Sequence, residues 1–272
     1  MAEKLVDLSQ LFWRGAVMWP RYAADMPCGA PNAFGGVRST GWRNQNHPGW
    51  WDMGWPFPFN QGVAPVPWGH LHGGTHIDAP VYCVPDGISV DKIPLDNLYG
   101  TAVILDFRNK KKWEAITAED LEKATPKIEA GDFVVINTGW HKKLAPNNAY
   151  EYYNTYPGLV LSAAEWLVKK KVKGIIGTWP CTDHSLSVLP LEKWLPWLYE
   201  DYKRETGRDP EQDYPSGYEA CLTMLLKAGI ICIQNAGGDI DEVTGKRCTI
   251  LAWPFRLEET DAAHVRLVAI VE

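Results

Sequence analysis

Ala102-Val-Ile-Leu-Asp-Phe107 is a short apolar run interrupted by a single charge, the form of a strand buried on both faces. Four more runs of this kind follow it, at Asp132–Ile136 (DFVVI), Gly174–Thr178 (GIIGT), Ile230–Gln234 (IICIQ) and Val265–Val271 (VRLVAIV). Helix signals stand between them. Thr117-Ala-Glu-Asp120 and Ser162-Ala-Ala-Glu165 both have capping-box form, and the second helix runs towards Lys171. A third helix is expected over Tyr218–Lys227, closed by Gly229. Lysines 169–173 read as a solvated helix C-terminus. Strands alternating with helices predict an α/β layer architecture around a mixed sheet.

Outward from this core the chain changes character. Between residues 21 and 69 it carries Trp42, Trp50, Trp51, Trp55, Phe57, Phe59 and Trp68, broken by seven prolines. Neither a helical nor a strand period survives there. Residues 21–66 are expected to form either an aromatic lid over a site or an arm packed against a second subunit. The whole chain, 272 residues, reads as one domain. A net charge of −6 argues against general affinity for nucleic acid or anionic membrane. No apolar run approaches the roughly 18 residues that span a bilayer. The charged start Met1-Ala-Glu-Lys4 has no signal-peptide stretch, and the six cysteines form no Cys-x-x-Cys pair. The expectation is a cytoplasmic protein with reduced thiols.

One cluster carries chemistry: His70-Leu-His72-Gly-Gly-Thr-His76-Ile-Asp78-Ala-Pro80. Two neutral imidazoles and a carboxylate are a ligand set for a divalent ion with open positions. Gly73, Gly74 and Pro80 oppose a helix. A flat strand would hold the Cα atoms of His72 and His76 about 13 Å apart, the limit of reach for a shared ion. A bend at the glycine pair brings His72 back over His76 and Asp78. The other reading of each histidine, a hydrogen-bonded structural residue, is weaker for a triplet than for one alone.

The string His72-x-Gly74-Thr75-His76-x-Asp78-x-Pro80 resembles the signature of the cyclase superfamily, which includes bacterial kynurenine formamidases and isatin hydrolases. Asp7-Leu-Ser9, Gly131-Asp132 through Thr138-Gly-Trp140, Pro157-Gly-Leu159 and Ile233-Gln-Asn235 agree with it in order. The aromatic segment and residues 190–216 fall outside the resemblance. It implies a swivelling β/β/α fold, a homo-oligomer (dimer or tetramer), and metal-assisted hydrolysis of a small carbonyl compound, with His72, His76 and Asp78 as ligands. Tyr82 stands where the family pattern has a further histidine. Gln234 replaces the glutamate of binuclear members, and the apolar Cys221-Leu222 falls where they have a helical histidine. These departures imply one divalent ion per chain, Mn(II) or Zn(II).

A dication lowers the pKa of bound water towards about 7 and polarises a carbonyl, but a leaving group still needs a proton. The candidates are His184, whose other reading is a surface-loop histidine, then Tyr82 and His70; Asp183 matches an acidic family position. Gln234, His70, Trp68, Trp55 and Phe59 are candidate substrate contacts, the aromatics stacking on a planar ring. The expected reaction is C–N cleavage of an aryl formamide or lactam. The alternatives are C–C cleavage of a cyclic 1,3-diketone by a cyclohydrolase, and a binding protein that kept the fold without turnover.

Overall fold

Ala102, Val103, Ile104 and Leu105 are all fully buried, because the strand they form has a hydrophobic layer on each side. The computed structural model describes residues 3–10, 71–145, 148–215, 217 and 219–271. Segment 21–66, with Trp55 and Phe59, lies outside the described residues, as do Trp68 and His70.

The strands are β1 (Lys4–Asp7), β2 (His76–Asp78), β3 (Tyr99–Asp106), β4 (Ala115–Ile116), β5 (Phe133–Asn137), β6 (Gly158–Leu159), β7 (Gly174–Gly177), β8 (Ile231–Gln234), β9 (Arg247–Leu251), β10 (Ala262–His264) and β11 (Val268–Val271). The α-helices are α1 (Ala118–Lys123), α2 (Ala149–Asn154), α3 (Leu161–Lys170), α4 (Leu191–Trp194), α5 (Pro196–Thr206), α6 (Pro210–Asp213) and α7 (Ala220–Lys227). Among the described residues nine strands pair in the order β1-β11-β9-β3-β5-β7-β8-β2-β10, while β4 and β6 form a separate parallel pair. The four central strands β3, β5, β7 and β8 are parallel, and the flanking pairs are antiparallel. This is the mixed α/β fold expected from the alternating pattern.

The sheet cannot be flat. β10 and β11 are separated by seven inter-strand steps, which in a flat sheet span roughly 34 Å. Yet His264 and Val268 are four residues apart and can reach only about 14 Å. The sheet therefore curls until its two ends meet. Val6, Ile77, Ile233, Ile250, Ala263 and Ala269, drawn from six strands, share one core inside the curl. Outside it, Val103, Leu105, Val134 and Ile136 pack under Ala163 and Leu167 of α3 and Leu222 and Leu225 of α7. Period-two alternation along β3 thus feeds two cores from one apolar run. The run 265–271, read as one strand, is shortened to β11 at 268–271, since residues 265–267 carry the chain across from β10.

Helix α1 has its capping box: Thr117 Oγ1 accepts from Asp120 N and Asp120 accepts from Thr117 N. The second box does not form. Helix α3 begins at Leu161, so Ser162 lies inside its first turn, and its Oγ accepts from Ala118 N at 3.4 Å instead. Lys173 is not free in solvent but donates to the carbonyls of Asp96 and Tyr99 at 3.0 and 2.9 Å. Among the described residues no helix is long and apolar enough to cross a membrane. Cys83, Cys181, Cys221, Cys232 and Cys248 are free thiols.

Candidate metal centre

Strand β2 lies between β8 and β10, with His76 opposite Gln234 on one side and His264 on the other. Directly opposed residues share a face, so His76, Asp78 and Gln234 point the same way. His72 reaches that face through a bend. Gly74 has φ of 61°, a left-handed conformation that suits glycine, and residues 71–75 are turn and bend rather than strand. Thr75 fixes the bend from below: its hydroxyl donates to Asn235 O at 2.6 Å and accepts from Gln10 N at 2.8 Å. The His264 ring is hydrogen-bonded to the Gly73 backbone on the other side.

His72, His76 and Asp78 each offer a ligand atom, all within 4.8 Å of one another. His72 Nδ1 is 2.9 Å from Asp78 Oδ1, and His76 Nε2 is 3.5 Å from the same oxygen. Bonds of about 2.1 Å to one ion set neighbouring donors roughly 3.0–3.4 Å apart, so both spacings suit a shared cation. The outer atoms agree. His76 Nδ1 lies 2.8 Å from Gly74 O, which places the proton there and leaves Nε2 a lone pair. That Nε2 is buried and makes no hydrogen bond among the described residues. Asp78 Oδ2 accepts from Gln234 Nε2 at 2.6 Å. Asp261 Oδ2 sits 3.4 Å from His72 Nε2, completing a carboxylate–imidazole pair behind the third donor.

Electrostatics point the same way. Burial drives the His76 imidazole down to about 4, keeping it neutral. Burial also pushes His72 down, but hydrogen bonds and charge from Asp261 and Asp78 outweigh it and hold the ring up at about 10. The buried Asp78 carboxylate thus draws a positive charge to itself, which a dication supplies better than a proton. Asp261→Asn is expected to weaken Mn(II) or Zn(II) binding by about 10- to 100-fold, measured by competition with a chromogenic chelator. Unchanged affinity would remove Asp261 from the site.

The Cyclase family model matches residues 6–184. The chain belongs to the Cyclase family. A kynurenine formamidase of Erythrobacter litoralis is 27% identical over 267 residues, covering 97% of this chain and 93% of its own. An isatin hydrolase of Roseibium aggregatum is 23% identical over 215 residues, 74% of this chain and 72% of its own. The solved structure of isatin hydrolase A from Ralstonia solanacearum superposes with a TM-score of 0.63 at 21% identity, covering 99% of this chain and 92% of that one. The curled mixed sheet is therefore the fold of this cyclase family.

Other expected site residues of this cyclase chain are placed differently. His184 is fully buried, stacked on Tyr214 with ring centroids 3.9 Å apart. Its Nδ1 accepts from Leu186 N at 3.2 Å, so Nε2 carries the proton and faces Trp113 O at 3.1 Å. It is neither a surface-loop histidine nor one with a nitrogen to spare for substrate. Asp183 is equally enclosed. Oδ1 accepts from Cys221 N at 2.8 Å and Oδ2 from Leu222 N at 2.9 Å, capping α7 from a distant loop. That loop is pressed against β6, where a Cβ on Gly158 would meet His184 Cα at 2.7 Å. Tyr82, by contrast, lies at the centre, its ring centroid 4.6 Å from that of His72. Asp261 and His264 went unread in the sequence, because nothing local marks a residue whose partner is far along the chain.

Proposed function

We propose that this chain is a metal-dependent hydrolase that adds water to a small aryl or cyclic carbonyl compound and breaks a C–N bond of the amide type. The observation carrying this reading is the convergence of His72, His76 and Asp78, each with its outer atom already engaged. In it, these three residues hold one divalent ion per chain, Mn(II) or Zn(II). Such an ion polarises a carbonyl and makes water nucleophilic near neutral pH. Gln234 has its amide nitrogen committed to Asp78, so it orients both a ligand and, through its other end, the substrate. Tyr82, beside His72, is the proposed source of the leaving-group proton. Trp55, Phe59 and Trp68 are assigned to the substrate's planar ring, and His70 to a further substrate contact. The free cysteines fit a cytoplasmic setting, and the reading includes a homo-oligomer.

Elemental analysis combined with an assay panel tests this. Purified protein is expected to carry about one ion per chain, the single-site stoichiometry of a three-ligand centre. Supplied with Mn(II) or Zn(II), it should hydrolyse N-formylkynurenine or isatin. Opening of cyclohexane-1,3-dione alone would move the assignment to C–C cleavage. Neither metal nor turnover would overturn it in favour of a binding protein.

A further inference from the structure

Glu219 stands at the head of α7 with φ of 59° and ψ of 46°. Outside glycine and asparagine, that left-handed conformation persists where surrounding contacts impose it, and such positions gather at functional sites. The contacts are visible. Glu219 N donates to Val188 O at 3.2 Å, and Glu219 O accepts from Thr223 N at 2.9 Å. The side chain then meets two partners. It is hydrogen-bonded to Tyr82, and Cys181 Sγ lies 3.7 Å from Oε1. Since Tyr82 rests on His72, a line of contacts runs from α7 through Glu219 and Tyr82 to a candidate ligand.

We infer that Glu219 is a positioning residue for hydrolysis, fixing where the Tyr82 hydroxyl stands beside His72. This rests on the hydrolase reading above. A hydroxyl held in one place meets the substrate in one orientation, which is how a group remote from the reacting atoms affects the rate.

The groups around Glu219 hold it still. Tyr82 and Cys181 both engage its carboxyl, and the helix it heads is fixed at its first turn by Asp183, which accepts from Cys221 N and Leu222 N. A side chain engaged in this way keeps the hydroxyl it binds in one place.

Two measurements test the pair. In the metal-supplied enzyme, Glu219→Ala should lower kcat about 10- to 100-fold with KM and ion stoichiometry little changed. Glu219→Gln, which keeps an acceptor oxygen for the Tyr82 hydroxyl, should recover most of that rate. In a Tyr82→Phe background Glu219→Ala should cost little more, because no hydroxyl is left to hold. Independently, infrared difference spectra of the substrate-free protein with isotope-labelled tyrosine should show the Tyr82 hydroxyl band shifted in Glu219→Ala and restored in Glu219→Gln. Full activity in Glu219→Ala, or an equal further loss in the Tyr82→Phe background, overturns the inference. Wild-type protein without turnover would strike the hydrolase reading instead, and the infrared comparison would still decide whether Glu219 holds Tyr82.

Discussion

His76→Ala is expected to abolish both metal binding and hydrolysis while the protein still folds. The imidazole is completely enclosed in β2, and its Nε2 makes no hydrogen bond among the described residues. Among the described residues its one side-chain hydrogen bond, Nδ1 to Gly74 O, closes a local bend. Removing it deletes one donor of three and leaves Asp78 facing His72 alone. Losing the charge stabilisation an ion provides costs several kcal/mol in the transition state, about a thousand-fold or more in rate. Stability should fall by only about 1–3 kcal/mol, the usual range for an enclosed side chain whose removal strands a single backbone carbonyl. Ion content by elemental analysis, circular dichroism and turnover of N-formylkynurenine or isatin together check this. A soluble variant retaining an ion and full rate would break the assignment.

Asp183→Ala should act on stability first. The carboxylate accepts two hydrogen bonds from the first turn of α7, and it is almost wholly buried. An alanine there leaves two backbone N–H groups enclosed without partners and removes a charge matched to the helix dipole. Charged hydrogen bonds of this kind are worth about 1.5–3 kcal/mol each, and the pair is expected to cost about 3 kcal/mol in all. Chemical denaturation measures that loss directly. Ion stoichiometry should be kept, because His72, His76 and Asp78 are untouched. A variant as stable as the parent, but inactive, would return Asp183 to the reacting groups.

What the sequence made legible followed from how local each signal was. Ala102–Leu105 and Phe133–Ile136 were readable as strands because burial on two faces removes every polar residue from them. His72, His76 and Asp78 were readable because seven residues carry the whole donor set, and the glycine pair announced the bend. Strand β10 was not, since three residues at a sheet edge make too short a pattern. Glu219 carried no local signal; the pairing of β2 with β8 brings Tyr82 to the start of α7. His184 misled for the converse reason. Tyr214, which follows the helices over 191–213 in a stretch outside any recognised pattern, covers its ring.

The closure of the sheet also sets an order of events during synthesis. Asp78 and its hydrogen-bond partner Gln234 are 156 residues apart, a delay of about 8 to 30 s at ribosomal rates of 5–20 residues per second. Throughout that interval the nascent ligand string has neither of its neighbouring strands, β8 or β10. Chains released early would carry the imidazoles without the walls that hold them, so secure ion capture belongs to the finished polypeptide.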